Sequence, residues 1–175
     1  MDPQPSSQAP SPPTPAAGAV ILAILVVAAV AFIYVNSLLH LTDFWAGFLF
    51  LTYWMAAEQV QPGAFVSSAV GAVIGLLVAL GLQMLPHLYG NAGEAVAVVI
   101  MLVAIYFQIV GWAKVAFNFS TMIFLTAGAA VPIQAHTDVI NALKSLALGI
   151  VFFGAVVMSA QKLAARSTAA ATTTT

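Results

Sequence analysis

The chain has 175 residues, 62% of them hydrophobic and 5% charged, with a formal net charge of −1. Soluble domains carry about 25% charged residues, so a chain this apolar cannot clothe a water-facing surface, and its excess must face lipid. Near-neutral charge excludes a basic nucleic-acid face, and the lack of cysteine excludes disulfides, thiolate catalysis and thiolate metal sites.

The opening MDPQPSSQAPSPPTP is rich in Pro, Ser and Gln, so a disordered tail is expected over 1–15. It lacks a basic n-region, so the apolar run that follows is not read as a cleaved signal. A transmembrane helix needs about 20 apolar residues. On that criterion, relaxed for shorter runs, six spans are expected: Ala16–Leu39, Asp43–Ala57, Ala64–Leu85, Glu94–Trp112, Val115–Val131 and Asp138–Leu163. Pro62-Gly63 separates the second from the third. Pro86 and HLYGNAG form a turn before the fourth, and Pro132 closes the fifth. The fold class is therefore an all-α membrane protein with a transmembrane domain over 16–166 and a disordered tail over 167–175. Continuous Ala- and Leu-rich runs argue against a membrane barrel, which needs alternation.

With six spans the termini share a side. Lys114, Lys162 and Arg166 gather there, so that side is expected to be cytoplasmic. The opposite side holds Asp43, Glu94 and Asp138 with His40, His87 and His136. These come from different loops without metal-ligand spacing, so no metal is expected.

The stretch FLTYWMA at Phe50–Ala56 returns as FLTAGAA at Phe124–Ala130, an offset of 74 positions. The same offset puts Gly75 on Gly149, Met84 on Met158, and Gly71-x-x-x-Gly75 on Ser145-x-x-x-Gly149. Small residues four apart let two helix backbones approach closely. Ala, Val, Leu and Gly matches also arise by chance in so apolar a chain. A true duplication would make two inverted three-helix repeats, as in many transporters and channels.

WAGFLFLTYWMAA at 45–57 and DVINALKSLALGIVFFGAVV at 138–157, with FSTMIFLTAGA at 119–129, resemble the YcdZ-like family of small bacterial inner-membrane proteins. The resemblance covers about Leu39 to Ala165 and is most specific in the second and sixth spans. Tyr53-Trp54 stands where smaller residues are common in that family. The resemblance implies a compact helical protein of the bacterial inner membrane, and supplies neither a substrate nor a catalytic residue.

Five residues are candidates for a substrate pathway: Lys144, Gln108, Thr52, Thr126 and Asn118. Lys144 lies within the sixth span. It either faces a polar interior or snorkels to the headgroups. Gln108 sits well inside the fourth span, and Asn118 opens a polar stretch with Ser120 and Thr121. Thr52 and Thr126 are equivalent at the offset of 74. Such groups also hydrogen-bond across helices in any membrane bundle. Glu58 either pairs with Lys114 or is an ordinary interfacial acid. No Ser/His/Asp set, intramembrane acid pair, phosphate loop or haem-type histidine pair is present, so neither enzymatic activity nor a cofactor is expected. The expected function is passage of a small solute through a channel or facilitator, with a non-transporting scaffold or accessory subunit as the rival. The lipid bilayer is the expected partner, and a homo-oligomer is plausible from the packing motifs.

Overall fold

A computed structural model describes residues 15–136 and 138–172. Its elements are helices α1 (Pro15–Leu38), α2 (Trp45–Ala56), α3 (Phe65–Val110), α4 (Phe119–Gly128), α5 (Val131–His136) and α6 (Val139–Thr172), with a 3-10 turn at Pro62–Ala64. Among the described residues, three helical stretches are long and apolar enough to cross a membrane: Gly18–Leu38, Pro62–Val110 and Ile140–Leu163.

Helix α1 buries only a narrow stripe, Ala28, Phe32 and Asn36, spaced four apart on one face. The rest of its surface, including Val20, Leu22, Val27 and Val30, is exposed apolar side chain, which suits hydrocarbon. The helix ends where His40 turns left-handed at φ 56°.

The turn expected over residues 86–93 is made at a single residue. The helix carries through Pro86 and breaks at Gly90, where φ is 57° and ψ −139°. Only glycine adopts that geometry without strain. The break divides α3 into arms 65–89 and 91–110, which at 1.5 Å per residue are about 37 and 30 Å long. The chain doubles back tightly enough for Gly93 to press on the Leu85 carbonyl.

Helices α2 and α4 are shorter than expected. Their 12 and 10 residues span about 18 and 15 Å, against a hydrocarbon thickness of about 30 Å. Helix α4 starts late because Asn118 caps it: its side chain accepts from the Thr121 N–H at 3.3 Å, while Thr121 Oγ1 accepts from the Asn118 N–H at 3.2 Å. Residues 111–117 form turns. Beyond α4 the chain does not stop at Pro132 but makes the short helix α5. Helix α6 continues to Thr172, past the boundary expected at 166, whereas the expected tail over 1–15 lies outside the described residues apart from Pro15.

The core joins α2, arm 65–89, α4 and α6. Phe50, Trp54, Leu76, Phe124 and Leu146 fill it with Ala46, Ala72 and Ala142. Helix α1 attaches at its edge, where the Phe32 ring lies 4.7 Å from Phe153 and 5.2 Å from Phe48.

Candidate functional site: the seams of the four-helix core

Two seams run through the core. In one, α4 lies on arm 65–89; in the other, α2 lies on α6. Each depends on a glycine. A Cβ on Gly75 would strike the Thr121 carbonyl and come within 2.9 Å of the Leu125 nitrogen. A Cβ on Gly149 would come within 2.6 Å of Gly47 Cα.

The seams match in register. Helix α2 buries Ala46, Gly47, Phe50, Leu51 and Trp54, and α4 buries Ser120, Thr121, Phe124, Leu125 and Gly128. Each pair is 74 positions apart. Arm 65–89 buries Ser68, Gly71, Ala72, Gly75 and Ala79. The positions 74 further on, Ala142, Ser145, Leu146, Gly149 and Phe153, are buried in α6. The contacts match as well, because Gly47 plus 74 is Thr121 and Gly149 minus 74 is Gly75. Tyr53, Leu76 and Gly154 are buried without a buried counterpart at that offset, and the correspondence stops altogether at the remaining pair: α1 buries Ala28, Phe32 and Asn36, whereas arm 91–110 buries Gly93, Ala97 and Ala104.

The seams differ in chemistry. That between arm 65–89 and α4 is polar at one end. Asn118 Nδ2 donates to the Ser67 carbonyl at 2.8 Å, and Ser120 Oγ donates to the Ser68 carbonyl at 2.8 Å. Beside them the Tyr53 hydroxyl donates to Glu58 Oε1 at 2.8 Å, so Glu58 has a neutral partner. The loop carrying Glu58 holds Gln59 and Val60 at φ 48° and 58°. Trp54 Nε1 fixes it by donating to the Gln61 carbonyl at 3.1 Å, and Gln161 Nε2 by donating to the Val60 carbonyl at 2.9 Å. The seam between α2 and α6 is lined by small residues, with Ala46, Gly47, Ala142, Ser145 and Gly149 buried along it.

The five pathway candidates do not converge. Asn118 alone lies in a seam, as the cap just described. Thr52 is exposed on α2, returns its hydroxyl to the Phe48 carbonyl at 2.9 Å, and borders an apolar groove of about 550 Å³ shared with α1. Thr126 is exposed on α4 in a separate groove with Phe119, Met122 and Ile123. Lys144 faces outward on α6, in line with the exposed Ile140, Ala147 and Val151, which is the geometry of a snorkelling side chain. Gln108, on arm 91–110, has a buried Oε1 without a hydrogen-bond partner among the described residues. Sequence reasoning gave Ser68 and Tyr53 no part in a site, although Ser68 falls on the buried face that Gly71 and Gly75 already mark.

No family model, curated protein or solved structure matches the chain.

Proposed function

We propose that this chain is a multi-pass bacterial inner-membrane protein of two inverted three-helix units that lets a small solute cross, as a channel or facilitator. The observation that carries the reading is the recurrence of buried positions and glycine contacts at an offset of 74. One unit comprises α1, α2 and arm 65–89; the other comprises arm 91–110, α4 and α6. Inverted repeats commonly place a pathway between the halves near the midplane. On this reading six segments cross the bilayer, the short α2 and α4 completing their crossings with flanking non-helical chain packed inside the protein, with Gly90 at the turn between units. Lys114, Lys162 and Arg166 hold the termini in the cytoplasm. The YcdZ-like resemblance is part of the same proposal and supports the location.

Phe50 and Phe124 are equivalent at that offset and both fully buried at the centre. They make the described conformation a closed one, shut by an apolar constriction. The same filled core favours a second reading, a non-transporting scaffold or accessory subunit. Osmotic swelling of liposomes carrying the purified protein separates the two. A channel admits small neutral solutes faster than empty liposomes do, and the double change Phe50→Ala with Phe124→Ala raises the rate. Rates equal to empty liposomes for both proteins would leave the scaffold.

A further inference from the structure

Helix α1 joins the rest of the molecule toward its carboxyl end. Its Phe32 ring packs on Phe48, Phe152 and Phe153, yet none of its described side chains before Ala28 is buried. An apolar groove of about 430 Å³ runs between α1 and α6 there, with Ala23, Val27 and Ala31 on one wall and Phe152 and Val156 on the other. In a bilayer such walls take up hydrocarbon chain.

The groove leads to a pair of cations. Gly149 meets Gly47 near the start of α2, and Gln161 Nε2 donates to the Val60 carbonyl beyond its end. Helix α6 therefore runs in the direction of α2 and against that of α1, so its carboxyl end lies with the amino end of α1. Exposed Lys162 and Arg166 stand there. Arg166 is 18 residues past Leu148, which packs on the Phe32 cluster; at about 3.6 residues per turn the two share a face. Phe152 and Val156 lie about 21 and 15 Å from Arg166 along the axis, and a leaflet with its headgroups is about 20 Å deep. A phosphate held at Arg166 thus lays its acyl chain in the groove. Neither α1 nor α6 carries an acid, and Glu58, in the loop that Gln161 touches, accepts from Tyr53. Two cations without an acid on either wall favour a net negative headgroup over a zwitterionic one. We propose that the groove between α1 and α6 binds one anionic phospholipid, its acyl chain between Ala23 and Val156 and its phosphate on Lys162 and Arg166. The site lies at the α1 edge, outside the packed core, and goes beyond the passage reading.

Native mass spectrometry of the whole protein in detergent tests it, with phosphatidylglycerol and phosphatidylcholine of equal chain length added in turn. The parent should retain phosphatidylglycerol several-fold more than phosphatidylcholine. Lys162→Gln with Arg166→Gln should abolish that preference. Ala23→Phe, which fills the groove from an exposed position, should lower retention of phosphatidylglycerol although both cations remain. Lys144→Gln removes a charge elsewhere on α6 and should change nothing. Equal retention of the two lipids by the parent overturns the proposal. So does a preference that survives the double change, or that falls as far with Lys144→Gln, and so does retention indifferent to Ala23→Phe. Liposome swelling is scored separately, so the passage and the lipid site can each fail without the other.

Discussion

Gly149 of α6 rests against Gly47 of α2 so closely that a Cβ on the former would lie 2.6 Å from the Cα of the latter. Backbone cannot yield as a flexible side chain can, so Gly149→Ala must push the helices apart. Overpacking costs about 1–3 kcal/mol, of which Gly→Ala in a helix returns about 0.5–1 kcal/mol. Gly75→Ala meets the Thr121 and Leu125 backbone and should behave alike. Gly81, whose nearest neighbour is Leu85 Cδ1 at 3.8 Å, is the control. Unfolding in detergent should show both seam variants destabilised and Gly81→Ala neutral or stabilised.

Gly90 makes a second test of backbone geometry. Its Cβ would have open space, but φ is 57°, so the cost of Gly90→Ala is strain alone, about 1–3 kcal/mol. Thermal unfolding should record that loss. A variant as stable as the parent would mean that the chain does not turn there.

Asn118 serves both as a cap and as a link between helices. Asn118→Ala removes the acceptor for Thr121 and the donor to Ser67. Loss of a cap costs about 0.5–2 kcal/mol, and the stranded Ser67 carbonyl adds to it. Asn118→Ser keeps a capping oxygen and should recover part of the stability in the same assay.

Lys144 should matter little. It lies on the exposed stripe of α6, and a Lys at a helix centre costs about 2.5–3.5 kcal/mol on insertion scales, less near an end. Lys144→Met is expected to be neutral or slightly stabilising in detergent and silent in liposome swelling. Lost stability or altered swelling would put Lys144 back in a working site.

The orientation can be read with single cysteines, because the chain has none. A cysteine at Arg166 should react with a membrane-impermeant maleimide only after the cells are opened, and one at His87 in intact cells once the outer membrane is permeabilised. The reverse pattern would invert the assignment.

The long apolar helices were legible because length and composition settle them. The offset of 74 was legible because Phe50-Leu51 and Phe124-Leu125, with the seam glycines Gly75 and Gly149, fall on it. Directions around a helix were harder to read. Thr52 and Thr126 are equivalent, yet both point outward, because Phe50 with Leu51 and Phe124 with Leu125 take the inner face. The turn expected over residues 86–93 falls at Gly90 and not at Pro86, since proline leaves a helix interrupted but running, whereas a positive φ ends it. The hydrogen bonds from Tyr53 to Glu58 and from Ser120 to the Ser68 carbonyl were invisible in sequence, for they depend on which segments meet.

The crossed seating of the two short helices fixes an order of events on the ribosome. Helix α4 emerges after arm 65–89 is made, so the groove at Gly75 awaits it. Helix α2 has no such seat, for Gly149 is 102 residues downstream of Gly47. At about 5–20 residues per second, α2 spends many seconds in the bilayer with its glycine face open. The first half of the chain is thus the last to be completed, and a chain stopped before α6 would hold it unfinished.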